Sequence, residues 1–201
     1  MREVRLPGRP REFDGVERLR RIMKLFWEKG YEGLSLAEIM AATNLNKGSL
    51  YAAYGDKRSM YLKSLALYED DVVKSAVRFL KDPKPSAEER LQAFLSAPLN
   101  GPMHGDRSGC FLCNASADQA DLNKETQRQV SHGFQLLENA LVVPIKEISP
   151  SLSEANALSK ARAVLATYMG LRIMVRTGAA VEGLKQIPQH AFNMVSHDQL
   201  S

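Results

Sequence analysis

The sequence predicts an all-α protein of about nine helices, and three observations lead to this prediction. Apolar residues recur at steps of three and four along most of the chain, whereas strand-like alternation never extends beyond four residues. Residues that cap helices, such as Ser35 and Asn46, precede several of these stretches. Glycine and proline separate the stretches from one another. We therefore expect a small N-terminal helical bundle followed by a larger C-terminal one.

The first predicted helix carries apolar residues on one face from Val16 to Phe26 and ends near Gly30. A short second helix follows, and the spacing of Ser35 and Glu38 is that of a capping box at its start. A four-residue turn at 43–46 then leads to another short helix that begins at Lys47.

Two short helices joined by a four-residue turn predict a helix-turn-helix, whose second helix enters the major groove of DNA. Asn44 is one of the few residues other than glycine that tolerates the left-handed backbone such a turn needs. Asn46 is suited to cap the second helix, which then opens with the small, polar and basic residues Lys47, Gly48 and Ser49. This leading edge favours close approach to phosphate.

The charge distribution supports an anionic partner for the first third of the chain. Residues 1–63 carry 13 Lys and Arg against 8 Asp and Glu, whereas the remaining residues carry 14 against 15. The whole excess of positive charge therefore lies around the predicted helix-turn-helix, and nucleic acid is the leading candidate.

The C-terminal part is also predicted to be helical. A long helix begins near Lys57, and its inward stripe is Tyr61, Leu65, Tyr68, Val72, Ala76 and Phe79. The glycines and prolines of 98–109 predict a loop. Further helices start near Leu122, where Pro144 is expected to bend or end the helix, and near Ser153, and a last one is interrupted at Pro188.

Four segments together resemble the TetR family of bacterial transcriptional regulators, with a match that spans about residues 9–65. The segments are Gly8-Arg9-Pro10-Arg11, Phe26-Trp27-Glu28-Lys29-Gly30-Tyr31, Ser35-Leu36-Ala37-Glu38-Ile39 and Asn46-Lys47-Gly48-Ser49-Leu50-Tyr51-Ala52-Ala53-Tyr54-Gly55-Asp56-Lys57. The chain differs from the usual family pattern at three positions. The family usually has glycine in place of Asn44 and serine or threonine in place of Asn46, and it often has histidine in place of Ala53.

The resemblance implies a DNA-binding role for particular residues. Lys47, Gly48, Ser49 and Tyr51 would lie at the groove, and Tyr51 and Tyr54 would offer hydroxyls to phosphate or fill the core. Ser35 and Lys57 would hold phosphates at helix starts, and Arg9 and Arg11 would form a basic arm that reaches the DNA backbone or minor groove. With Asn46, which caps the second helix, included, the expected DNA-binding residues are Arg9, Arg11, Ser35, Asn46, Lys47, Gly48, Ser49, Tyr51, Tyr54 and Lys57.

The resemblance also implies a boundary near residue 56, with a DNA-binding domain over 1–56 and an effector-binding and dimerisation domain over 57–201. The DNA partner would then be a double-stranded palindromic operator bound by a homodimer. Small residues between 157 and 170 suit close packing of helices in such a dimer. We expect a small, largely apolar effector lined by Phe79, Phe94, Met103, Phe111, Phe134 and Tyr168, with anionic effectors excluded unless Arg107, Arg172 or Arg176 reaches in.

Cys110 and Cys113 leave three interpretations open. Cysteines three residues apart near a helix start can act as a thiol sensor of oxidants or electrophiles. They can equally be small apolar residues that pack the core. A metal site with His104, Asp106 and His132 is a third option, but the spacing fits no closed zinc pattern, and we expect neither a metal nor a cofactor.

Several classes of protein are disfavoured by the sequence. No apolar run approaches the roughly 20 residues of a membrane span, the N-terminus lacks the apolar stretch of a secretory signal, and two cysteines are no disulfide framework. We therefore expect a cytoplasmic protein with no membrane partner. A CxxC oxidoreductase is a weak rival because such enzymes need a sheet, so the sequence predicts a regulator that is not an enzyme.

Overall fold

The computed structural model describes the backbone of residues 11–103, 106–118 and 123–196, and the side chains of 14–101, 106–118 and 123–196. The described residues contain no β-strand. They form the helices α1 (Arg11–Gly33), α2 (Leu36–Thr43), α3 (Lys47–Tyr54), α4 (Lys57–Tyr68), α5 (Lys74–Lys81), α6 (Ala87–Met103), α7 (Phe111–Asp118), α8 (Lys124–Ile148), α9 (Glu154–Arg176), α10 (Val181–Leu184) and α11 (Ile187–Ser196), with a π-helical segment, Glu69–Val73, before α5.

The predicted all-α class is confirmed. The sequence pattern treats 57–81 as one helix, which the structure divides into α4, the π-helical segment and α5. If these are counted together and the single-turn α10 is set aside, the described residues form the nine helices expected. None of the described helices has the length and apolar character needed to cross a membrane.

The chain divides into an N-terminal unit, Met1–Leu67, and a C-terminal unit, Tyr68–Ser201. The core of the N-terminal unit is formed by residues that are wholly or almost wholly buried: Ile22, Phe26, Leu34, Ile39, Leu50, Met60 and Tyr61. The aromatic rings of Phe26 and Tyr61 meet edge to face at 5.1 Å. Such contacts let α1, α2, α3 and the start of α4 share one small core.

The C-terminal unit is built around α8, which packs against α5, α6 and α9. Its inner face carries Leu137, Ala140, Leu141 and Ile145, all buried. Gly133 allows α7 to approach closely, because a Cβ at this position would lie 2.6 Å from a methyl carbon of Leu112, which would have to move. Helix α8 continues through the buried Pro144 to Ile148, so this proline does not end it.

The π-helical segment Glu69–Val73 changes which residues of this region face inward. The sequence spacing predicts Val72 and Phe79 on the buried stripe, but Val73 and Leu80 are buried instead and Phe79 is 39% exposed. A π-bulge adds one residue to a turn, so the inward positions after it move one residue along the chain. The prediction that Phe79 faces inward is therefore wrong.

The predicted loop at 98–109 is also partly wrong, because α6 continues to Met103. Leu99 belongs to a buried cluster with Leu171, Val175 and Leu184. This apolar burial outweighs the local preference of proline and glycine for a turn, which is weak compared with tertiary packing.

Candidate nucleic-acid interface

The turn between α2 and α3 has the backbone that the sequence predicts. Asn44 adopts a left-handed conformation with φ 54° and ψ 39°, and its N–H caps α2 on the carbonyl of Met40. The side chain of Asn46 then accepts a hydrogen bond of 2.8 Å from the N–H of Ser49 and so begins α3. The two asparagines therefore fix the direction in which α3 leaves the turn.

The start of α2 is closed by a complete capping box. The Ser35 hydroxyl donates to Glu38 Oε2 at 2.6 Å, and it accepts from the N–H of Glu38 at 3.3 Å. Lys29 Nζ also donates to the Glu38 carboxylate. These hydrogen bonds hold the pKa of Glu38 at about 2, with that from Lys29 contributing most. The Ser35 hydroxyl is thus engaged within the unit, and only a rearranged cap would free it for phosphate.

Helix α3 is held by two side chains and exposes the rest. Leu50 is fully buried and Tyr54 is 7% exposed. The remaining residues of the helix are exposed, namely Lys47, Gly48, Ser49, Tyr51, Ala52 and Ala53. Most of the exposed positions are small, so the backbone of α3 can approach another surface closely.

The two tyrosines of α3 have different environments. The hydroxyl of Tyr54 donates to the carbonyl of Gly15 at 2.8 Å and so ties α3 to α1. Burial raises the pKa of Tyr54. Tyr51 is 39% exposed, and its ring lies 5.7 Å from Lys47 Nζ. Tyr51 is therefore placed to contact a ligand, whereas Tyr54 is a structural residue of the unit.

A glycine is required where α3 gives way to α4. Gly55 has φ 83°, and a Cβ at this position would lie 2.7 Å from Cβ of Ser59. The next residue, Asp56, accepts a hydrogen bond of 2.7 Å from the N–H of Ser59 and begins α4. This hydrogen bond lowers the pKa of Asp56.

Helix α4 begins with two cations that share one aromatic ring. Lys57 Nζ and Arg58 Cζ each lie 4.7 Å from the ring centroid of Tyr31. Tyr31 directly follows Gly30, whose φ of 73° bends the backbone at this point of α1. Sequence reasoning assigned no role to Tyr31 or Arg58, although Gly30-Tyr31 stands in the family-like pattern.

The cations of this unit fall into two groups. Arg18 and Lys24 on α1 form ion pairs with Asp14 and Glu28. In contrast, neither Lys47 nor Lys57 forms an ion pair with a carboxylate among the residues that the structure describes. These two lysines, at the starts of α3 and α4, therefore keep a positive charge that no described protein group neutralises.

Some predicted site residues lie outside the description. Arg9 and His104 are outside the described residues, as are the side chains of Arg11 and Met103. The roles expected of them stay predictions.

In the C-terminal unit, three of the aromatic residues expected to line an effector site, and Tyr68 beside them, form two ring pairs. The rings of Phe94 and Tyr168 stack at 4.4 Å, and Phe111 meets Tyr68 edge to face at 5.7 Å. All four are at most 8% exposed. Phe134 on α8 is partly buried.

The two cysteines lie beside these rings as buried free thiols. The hydroxyl of Tyr68 donates to Cys110 Sγ at 3.6 Å. The Cys113 side chain, by its hydrogen bond, lowers the pKa of Cys110, and the pKa of Cys113 is raised by the same contact. His132 instead contacts Glu69 at 2.9 Å, and the described residues hold no group of three metal-ligating side chains.

Comparison with known proteins agrees with this geometry. Residues 19–63, which include the whole helix-turn-helix, match the family model described as bacterial regulatory proteins, tetR family. This segment of the chain is therefore similar to the DNA-binding part of TetR family regulators. The chain is 29% identical over 187 residues to the HTH-type transcriptional repressor ComR of Escherichia coli strain K12, covering 90% of this chain and 88% of ComR. It is 21% identical over 182 residues to the repressor NemR of the same strain, covering 86% and 89%.

Solved structures share the fold over nearly the whole chain. A TetR transcriptional regulator from Chloroflexus aurantiacus J-10-FL has a TM-score of 0.80 at 19% identity, covering 92% of this chain and 96% of its own. A cysteine mutant of the TetR family regulator CifR, complexed with 26-bp double-strand operator DNA, has a TM-score of 0.76 at 24% identity, covering 92% and 98%.

Proposed function

We propose that the protein is a homodimeric transcriptional repressor that binds a palindromic operator through α3 and is released by a small organic effector. The observation that carries the proposal is the exposed face of α3 with Lys47 at its start. This face is small and polar, and Lys47 has no carboxylate partner among the described residues. A helix of this kind can enter the major groove with its N-terminus first. Such a protein would act in the cytoplasm, where the chromosome of a bacterium lies.

The positions of the other cations support this reading. Lys57 and Arg58 at the start of α4 are held on the ring of Tyr31, so less side-chain freedom is lost when they contact phosphate. The curated relatives ComR and NemR are named as repressors, and the CifR structure holds operator DNA.

Dimer formation is proposed through α9 and α11. One face of α9 carries exposed or half-buried small and apolar residues at steps of three and four: Ala163, Ala166, Gly170, Ile173 and Met174. A Cβ at Gly170 would meet no atom within 4 Å, and on α11 Met194 is 71% exposed. Exposed apolar residues in such a row are typical of a helix that packs against a second chain.

The function is tested by selecting genomic DNA fragments with the purified protein and measuring their binding by gel shift. We expect a small set of fragments to bind far more tightly than bulk DNA, since specific sites typically exceed non-specific ones by about three or more orders of magnitude. Equal binding of all fragments would contradict the proposal.

A second candidate is thiol sensing by the same DNA-binding protein. It is favoured by the hydrogen bond from Tyr68 to Cys110 and by the lowered pKa of the Cys110 thiol, which its contact with Cys113 causes. Burial of both thiols opposes it, because an oxidant or electrophile must first reach the sulfur. A protein with both cysteines replaced by serine decides the question. If oxidants release the wild type from DNA but not this variant, thiol sensing is supported.

A further inference from the structure

Arg172 on α9 lies beside the buried aromatic residues of the C-terminal unit and has no carboxylate partner among the residues that the structure describes. Its Nε donates to the Tyr168 hydroxyl at 3.0 Å, and its Cζ lies 5.1 Å from the centroid of the same ring. No carboxylate of the described residues pairs with Arg172, and Nη1 and Nη2 donate no hydrogen bond to any described group. The guanidinium is therefore oriented by one ring while its two terminal nitrogens are left for another partner.

The neighbouring arginines differ from Arg172 in this respect. Arg107 Nη1 donates to the carbonyls of Val175 and Ala179, each at 3.3 Å. Arg176 Nη1 donates to the carbonyl of Ser108 at 2.8 Å. Both side chains therefore hold the segment before α7 against the end of α9.

The groups around Arg172 supply little negative charge. Burial raises the pKa of Tyr168 to about 12, so its hydroxyl is neutral at physiological pH. Burial likewise raises the pKa of Tyr68. Cys110 is the exception, because its pKa is lowered to about 6, chiefly by the hydrogen bond from Cys113, and its thiolate partly offsets the charge of Arg172. A partly buried guanidinium whose terminal nitrogens have no partner among the described residues can still accept an anion from outside the protein.

We propose that Arg172 binds the carboxylate of a small organic acid with an aromatic or apolar body, and that this acid is the effector. The proposal rests on the ligand-responsive repression proposed above. The planar fork of Nη1 and Nη2 matches the two oxygens of a carboxylate and can donate two parallel hydrogen bonds. The effector is then an amphipathic anion. The sequence predicts that anionic effectors are excluded unless an arginine reaches the apolar lining, and Arg172 would be that arginine.

The body of the acid would lie against the aromatic rings next to the guanidinium. Phe94 stacks on Tyr168, which itself holds Arg172. Apolar surface buried against these rings supplies affinity, and the carboxylate supplies orientation and selectivity. An acid with a flat ring can pack on the aromatic rings while its carboxylate binds the Arg172 guanidinium.

The test uses benzoate, phenylacetate and cinnamate, with their uncharged amides as matched controls. Binding to the full-length protein is measured by thermal shift and calorimetry in the absence of DNA. We expect at least one acid to raise the Tm and to bind about tenfold or more tightly than its amide, since hydrogen bonds between charged groups are about twice as strong as neutral ones.

Variants assign the effect to Arg172. Arg172→Gln is expected to lower the affinity for the acid about tenfold or more and to remove the preference over the amide. Arg172→Lys should retain part of the preference, because the charge stays while the fork is lost. The control is Arg162→Gln on the same helix, where the side chain is 64% exposed and paired with Glu138. It should bind like the wild type.

Three results would overturn the proposal: no acid binds better than its amide, Arg172→Gln binds the acid as well as wild type, or Arg162→Gln loses as much affinity as Arg172→Gln. If Arg172→Gln does not fold, the proposal is tested by comparing the affinities for acid and amide in the wild type and in Arg172→Lys. Because these measurements contain no DNA, a failure to bind the acid is distinct from a failure of operator binding.

Discussion

Lys47 is the residue on which the proposed operator contact most depends. Its charge is exposed at the start of α3, where helix geometry also directs backbone N–H groups outward. We assign it a contact to phosphate or to a base edge, and we assign no such contact to the paired cations on α1.

Lys47→Ala is expected to weaken operator binding without unfolding the protein. If the contact is to phosphate, the slope of log affinity against log salt concentration should decrease by about one. Anisotropy titrations at several salt concentrations measure both quantities. Lys24→Ala is the matched control, because Lys24 is exposed on α1 and paired with Glu28. Equal losses in the two variants would contradict the assignment of α3 as the reading helix.

The two tyrosines of α3 should respond oppositely to the loss of a hydroxyl. Tyr54→Phe removes the hydrogen bond to the Gly15 carbonyl and should lower the free energy of unfolding by about 1 kcal/mol. Tyr51→Phe removes an exposed hydroxyl and should leave stability unchanged while it weakens operator binding. Urea unfolding and anisotropy distinguish these outcomes. A loss of stability in Tyr51→Phe with none in Tyr54→Phe would reverse the roles of the two side chains.

At the scale of helices, the sequence predicts helix ends well where hydrogen bonds between nearby residues determine them. The capping box at Ser35, the left-handed Asn44 and the cap at Asn46 are each local, because the side chain bonds to backbone within a few residues. These caps are sufficient to predict α2, α3 and the turn between them. The residues of α3 that are proposed to contact DNA come from this placement together with the family resemblance.

The sequence predicts less well where packing between distant residues decides. Periodicity cannot show that a π-bulge shifts the inward stripe and exposes Phe79. It also cannot show that the burial of Leu99 extends α6 into the segment expected to be a loop. Arg172 is one of three arginines that the sequence leaves equivalent, and only the hydrogen bonds of the folded chain separate it from Arg107 and Arg176.

The cap at the start of α2 should make stability sensitive to acid. Hydrogen bonds from Lys29 and Ser35 lower the pKa of Glu38 from 4.5 to about 2 in the folded protein. A lowered folded-state pKa stabilises the protein above the unfolded value of 4.5, and this stabilisation is lost as the pH falls toward 2. Glu38→Gln should therefore be less stable than wild type at pH 7, and the difference should shrink as the pH falls below 4.5.

Urea unfolding of both proteins between pH 7 and pH 3 measures this difference. Glu32→Gln serves as the control, because Glu32 is exposed at the end of α1 and no ion pair is seen for it among the described residues. A difference between wild type and Glu38→Gln that stays constant over this range would show that the carboxylate does not stabilise the cap.

At the scale of the whole molecule, the operator recognition proposed here calls for two copies of the chain. One eight-residue reading helix offers few base contacts, and two-fold symmetry supplies a second helix for a second half-site. The exposed apolar row on α9 offers a surface for this association.

Light scattering should therefore give about twice the 22.4 kDa of one chain at micromolar concentration. Ile173→Glu combined with Met174→Glu should shift the mass toward the monomer, because two charges would be buried in the interface. Val16→Glu is the control, since Val16 is a similarly exposed apolar residue on α1. A wild-type protein with the mass of one chain would contradict the dimer.

The most direct test of operator recognition by α3 is a hydroxyl-radical footprint on a DNA fragment selected by the protein. We expect two protected half-sites related by two-fold symmetry, with centres about 34–36 Å apart or a multiple of this distance. Lys47→Ala should reduce protection of both half-sites equally. A single protected half-site, or protection that spreads evenly along the fragment and is unchanged in Lys47→Ala, would contradict recognition of an operator by paired α3 helices.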